Sequence, residues 1–392
     1  MGLLNGQLYG KFTAMKKAMT FTLVILGYTP AGTCQWDGNK QLETPKMHRW
    51  QLLPSMTALL LCASTQLCAQ DYVVPRTEHG HPDLRGVWNF STLTPLERPE
   101  RYKDQEFLTP EEIAELLESR ESSARASIER EATVAEQVLS ATTAVSVGSV
   151  NNFWLDRTTL EENGRTSLIV HPRNGKLPEL QTGILIQRGD ESGITEIPGS
   201  RPVRYTHGGI GREGPEDRGL SERCIVFNSG PPLLSGPYNN LIQIFQNRDH
   251  VVILAEMGFD ARIVPLEKTA HVDRAIVLWS GDSRGYFEND TFVVESRNFT
   301  DKIASLGLRQ EAYGSARNRL LVERFIPVAD GKLNYEFTIV DPDTFKDNLT
   351  VLMPMTKVND QIYEYACHAG NYAIANILKG ARAAETAATS SR

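Results

Sequence analysis

The chain has 392 residues, of which 41% are hydrophobic and 23% charged, with a formal net charge of -7. Those proportions are ordinary for a globular protein, and the mild acidity without a dense Lys/Arg stretch argues against a nucleic-acid partner, whose phosphates need a basic face. A single all-β unit of roughly 200–250 residues fits within this length.

Residues 1–46 read as an upstream extension that is not part of the native protein. Met47-His48-Arg49-Trp50 is a short basic opening, residues 52–63 are mostly apolar, and Leu67-Cys68-Ala69 before Gln70 is a small-residue exit. Together these are the three parts of a secretory signal, assigned to residues 47–69. The apolar run is shorter than the roughly 20 residues a membrane span requires, so no span is expected. Met15, followed by Lys16, Lys17 and the apolar residues 19–28, is a rival start. Either start predicts a periplasmic or secreted protein. Of the five cysteines, only Cys224 and Cys367 lie beyond Ala69. In an oxidising compartment they form one disulfide or remain two buried thiols, and sequence leaves both open.

Residues 70–164 read as an extended segment followed by a helix. Pro75, Gly80 and Pro82 keep the first part extended, and residues 86–90 are a short strand. His79, His81 and Asp83 are potential metal ligands but are read as a surface loop, and no metal or cofactor is expected. Thr109-Pro110-Glu111-Glu112 carries a capping box and a proline suited to the first helical turn. The spacing of Ile113, Leu116 and Leu117 predicts a helix to about Arg130, extending at most to Val138.

Residues 165–385 change to strands and turns. Strands are predicted at 166–170, 183–187, 241–246, 251–257, 262–266, 291–297, 320–328, 333–340 and 350–358. Asn247-Arg248-Asp249-His250 and Ala329-Asp330-Gly331-Lys332 are hairpin turns, and residues 201–219 are a long loop. A C-terminal helix is expected at 372–385, with 386–392 a disordered tail. Strands in succession without intervening helices predict an antiparallel barrel or sandwich, mainly β, with the Thr109 helix and a C-terminal helix as additions.

No phosphate-binding loop, dinucleotide fingerprint, serine elbow or zincin helix is present. Candidate chemistry therefore rests on single residues. His207 sits beside Gly208 and Gly209, where an imidazole has room to meet a ligand. Glu256 closes an apolar strand, with Arg262 as its expected partner. Asp282 and Arg284 lie in the polar stretch 279–286, read as a binding lip or a hairpin connection. Glu364 and His368 are four apart and would share a face if helical. Catalytic candidates are thus His207, Glu256, Asp282 and His368. Arg223, Tyr238, Arg262, Arg284, Tyr363 and Glu364 are candidate substrate contacts.

Residues 84–90, 153–157, 165–170, 214–224, 251–266, 281–294 and 363–371 resemble a group of secreted bacterial proteins without an assigned activity. That resemblance implies export and one continuous domain. Gly86-Val87-Trp88 also resembles the first strand of the lipocalin-like, or calycin, barrels, which implies a barrel able to hold a small molecule. The expectation is an exported hydrolase or lyase using acid–base catalysis on a small organic substrate. The alternative is a non-catalytic carrier of an apolar or amphipathic molecule inside a barrel. The oligomeric state is not set by the sequence.

Overall fold

The computed structural model describes residues 72–139, 164–184, 186–188, 213–228, 230–258, 260–267, 269–308 and 311–390, all within the unit Ala69–Arg392. The predicted leader and His207 lie outside the described residues.

Alternation of side chains organises the fold. In Lys332–Val340, Leu333, Tyr335, Phe337 and Ile339 are buried, while the residues between them face outward. In Leu349–Val358 the same holds for Leu349, Val351, Met353 and Met355. Each such strand offers one apolar face, and only a neighbouring strand can satisfy its backbone.

The sheet formed this way has the order β6 (Ala261–Pro265), β5 (His250–Ala255), β4 (Leu241–Gln246), β1 (Gly86–Asn89), β13 (Leu349–Val358), β12 (Lys332–Val340), β11 (Leu320–Ala329), β8 (Thr291–Arg297), β7 (Asp282–Glu288). A tenth strand, β2 (Ile169–His171), pairs with β13 off this path. Every adjacent pair is antiparallel. Nine alternating strands leave the two ends, β6 and β7, pointing the same way. Those ends meet without a hydrogen-bonded ladder: a Cβ on Gly285 would stand 2.7 Å from Val264, and the Ser280 hydroxyl donates to Asp260 at 3.0 Å. The sheet is therefore a nearly closed, barrel-shaped antiparallel structure. Its lumen is filled by aromatic rings, with Phe325 5.8 Å from Phe292 and 5.1 Å from Tyr335, and Phe337 5.9 Å from Tyr335. A second sheet pairs β10 (Glu311–Tyr313) with β3 (Ile186–Arg188) and β9 (Leu306–Gly307).

Two helices complete the described chain, α1 (Pro110–Leu139) and α2 (Ala373–Ser390). The Thr109 capping box is formed: the Glu112 N–H donates to the Thr109 hydroxyl at 3.3 Å and the Thr109 N–H to the Glu112 carboxylate at 2.8 Å.

The boundaries of β4 and β8 match the sequence reading to the residue. Two segments and the strand order differ. Residues 282–288, read mostly as a polar lip or connection, form a full strand, because β8 supplies the ladder and the partners of Ser283 and Tyr286, while Asp282 is satisfied by His271, Val272 and Arg284. The strand expected at 166–170 shrinks to β2, because Thr166 and Leu168 turn their backbone N–H groups to Glu106 and Pro95. The order is also more than a simple meander: β1 inserts between β4 and β13 and joins the N-terminal segment to the middle of the sheet.

Candidate functional site

The strongest cluster of titratable groups lies where the segment 269–280 crosses the start of β7. Asp282 is the first residue of β7, and its carboxylate is 10% exposed. One oxygen accepts from the Val272 backbone N–H at 3.0 Å and lies 2.9 Å from His271 Nδ1. The other accepts from the Arg284 guanidinium at 2.6 Å. Burial pushes the Asp282 carboxyl upward, but the Val272 N–H, His271 and Arg284 together outweigh it and hold the group below the usual carboxylate range. A carboxylate so held fixes an N–H on His271 Nδ1, which leaves Nε2 as the basic nitrogen. Nε2 makes no hydrogen bond among the described residues, and the side chain is 22% exposed.

Arg284 is a clamp. Beyond Asp282 it donates to the Ser283 carbonyl at 2.8 Å and to the Ala270 carbonyl at 3.1 Å, so it ties the crossing segment to the strand. Asn298 adds a second tie by donating to the Val272 carbonyl at 2.9 Å. Asn298 holds a left-handed backbone, φ 59°, which asparagine tolerates better than most residues.

A second polar network fills one level of the barrel lumen. Glu323, fully buried on β11, receives both arms of the Arg262 fork from β6 and the Tyr335 hydroxyl from β12 at 2.7 Å. The Leu233 N–H in turn donates to the Tyr335 oxygen at 3.1 Å. Burial and the adjacent Glu323 carboxylate hold the Tyr335 hydroxyl well above the normal phenol range. This network is enclosed and internally satisfied, which is the arrangement of a structural element.

Most other residues chosen from sequence lie apart from these clusters. Glu256 is buried just beyond β5, and Arg262 pairs with Glu323 in its place. Arg223 pairs with Glu216 at 3.0 Å. His368, Tyr363 and Glu364 are exposed in a non-helical segment before α2, so Glu364 and His368 do not share a helix face. Burial, and then the neighbouring Tyr238, hold the Tyr365 hydroxyl above the usual phenol range, and Phe227 meets Tyr365 edge-on at 5.5 Å. Cys224 and Cys367 form a disulfide, Cα–Cα 5.8 Å, which fastens this C-terminal segment to the 213–230 loop. Among the residues selected from sequence, Asp282 and Arg284 are brought into an ion pair with each other. His271 was the residue missed: it stands in Thr269-Ala270-His271-Val272 with no motif around it, and its one signal was a carboxylate eleven residues on.

Near the crossing segment, Pro231, Pro232, Trp279, Ser280, Ile303 and Arg319 line a cleft of about 30 Å³ of free volume, room for about one water. No group of three or more metal-ligating side chains occurs among the described residues, and no helix there is long and apolar enough to cross a membrane. No protein-family model matches the chain, and neither a curated protein nor a solved structure matches it.

Proposed function

We propose that the chain is an exported enzyme using acid–base catalysis, with His271 as general base, Asp282 as the group that orients and charges it, and Arg284 as the clamp that holds both. The observation that carries this reading is the Asp282–His271 contact at 2.9 Å with Nε2 left open. An imidazole oriented by a buried carboxylate is a recurring proton-transfer device, and Asp282 stabilises the imidazolium formed when Nε2 takes a proton. No hydroxyl or thiol among the described residues bonds to Nε2, so the base acts on water or on a substrate C–H or O–H. That supports hydrolysis by activated water or a lyase-type proton abstraction on a small organic substrate.

Export draws support from the Cys224–Cys367 disulfide, a bond that persists in oxidising compartments. The carrier alternative rests on Gly86-Val87-Trp88 at β1 and its likeness to lipocalin-like barrels. It draws no support from the lumen, where Phe292, Phe325, Tyr335 and Phe337 are fully buried against one another.

The test is substrate loss from a panel of small esters, amides, lactones and hydroxy acids, followed by mass spectrometry. The active compound should lose turnover by about 10²–10⁴-fold in His271→Gln, with the melting temperature unchanged. Full activity in that variant sinks the reading.

A further inference from the structure

Among the described residues, most arginines are neutralised by a carboxylate. Arg85 pairs with Asp83, Arg165 with Glu106, Arg218 with Glu222, Arg223 with Glu216 and Arg262 with Glu323. The corner around His271 departs from that habit. Arg297 on β8 is the cross-strand partner of Asp282 on β7, and opposed residues of an antiparallel pair share a face. Arg297 is exposed and makes no side-chain hydrogen bond or ion pair among the described residues. Its neighbour Asn298 bonds to the Val272 carbonyl, one residue from His271, which sets Arg297 beside the imidazole segment. Arg274, three residues beyond His271, is likewise exposed and unpaired. The Arg317 guanidinium donates to the Arg274 carbonyl at 3.1 Å, which brings a third exposed arginine to the same corner. The carboxylates nearest in the chain are engaged locally: Asp273 accepts from the Ala275 N–H at 2.8 Å, and Asp301 from the Thr300 hydroxyl at 3.4 Å.

We infer that Arg297, Arg274 and Arg317 form an oxyanion-binding rim beside His271, and that the substrate of the proposed site carries a carboxylate or phosphate group. This deepens the acid–base reading of the His271–Asp282 pair and rests on it. Guanidinium forks match the planar edge of a carboxylate or two oxygens of a phosphate, and they stay charged at every working pH. In a chain of net charge -7, three guanidinium groups at one corner, none of them in an ion pair among the described residues, make a local positive field that draws a small anion in against the overall repulsion. Anchoring the anion on the rim places the rest of the substrate over Nε2, which supplies the orientation that a shallow surface site otherwise lacks.

The experiment follows the His271 ring signals by NMR in the full protein, assigned with His271→Gln, during titration with acetate and, separately, inorganic phosphate. Ionic strength is held constant with sodium chloride. A saturable shift with either anion is expected, and the Arg297→Ala/Arg274→Ala double variant should weaken it by at least about tenfold, the loss of a charge-assisted bond. Arg324→Ala, a guanidinium on β11 paired with Glu336, should leave it unchanged. Saturation by phosphate alone assigns a phosphate ester, and saturation by acetate assigns a carboxylate. Linear, non-saturating shifts that are the same in the double variant overturn the rim. Saturable binding together with full turnover in His271→Gln overturns the catalytic reading and leaves the rim standing.

Discussion

Glu323 sits in the lumen with no exposed surface, and it is tolerated there as an anion because Arg262 and Tyr335 supply three donors. Removing one member leaves the others as buried, unpaired groups. Glu323→Ala should therefore lower stability by about 3–5 kcal/mol, read as a lower urea midpoint, while Arg262→Met with Glu323→Leu should recover most of that loss. Asp282 governs a pH effect. Its folded carboxyl is held below the usual range, so it stays ionised where the unfolded chain, near pH 3.9, begins to bind a proton. The stability it contributes is complete above that unfolded value and is lost as pH falls through the lower, folded one. Asp282→Asn should thus flatten the acid side of a melting-temperature profile below about pH 4, and an unchanged profile would show that the carboxylate is not held as described. At this scale the sequence was half legible. Asp282 and Arg284 were chosen from it, whereas Glu323, between Leu321 and Phe325 on the core side of its strand, was not chosen. His271 was not readable, because only the crossing of two distant segments gives it a partner.

Strands and their seams are decided by spacing as well as by pattern. Where β7 meets β6, Gly285 leaves room that a larger residue would take: its Cβ would lie 2.7 Å from both Val264 and Phe292. Both contacts are buried, so neither side chain can swing into solvent. Gly285→Val should lower stability by about 1–3 kcal/mol and raise amide exchange in β6 and β7 more than in β12. Equal protection in all three strands would show that the seam does not depend on this close approach. The helix start at Thr109 and the β11–β12 hairpin were plain in the sequence because capping chemistry and turn residues act within a few positions. β7 was not, because Asp282, Ser283 and Arg284 break the apolar alternation, and their partners come from β8 and from residues 270–272.

At the scale of the molecule, a single covalent link controls the C-terminal segment. Residues 359–372 and α2 bury little: α2 has no buried residue, and the ties of this segment to the 213–224 region include the Asn371 bonds to the Glu222 carbonyl at 3.2 Å and to Cys224 Sγ at 3.4 Å and the Arg382 bond to the Glu213 carbonyl at 3.1 Å. The Cys224–Cys367 bond closes a chain separation of 143 residues, so it removes much of the unfolded chain's freedom. Cys224→Ser with Cys367→Ser should lower stability by about 2–5 kcal/mol, and limited proteolysis should then cut near residues 359–372 before the barrel. Barrel and tail cleaved at equal rates would refute that division.

What the residues determine by themselves is local. Apolar alternation sets the strands, capping chemistry sets the start of α1, and the succession of strands without intervening helices sets a mainly β protein. Register and neighbours belong to the tertiary structure, because hydrogen bonding between strands is indifferent to sequence distance. Folding alone brings β1 between β4 and β13, joins Cys224 to Cys367, gives Glu323 rather than Glu256 to Arg262, and lays His271 against Asp282. A side chain's chemistry follows from the groups that surround it, and these surroundings are assembled from segments that no local pattern links.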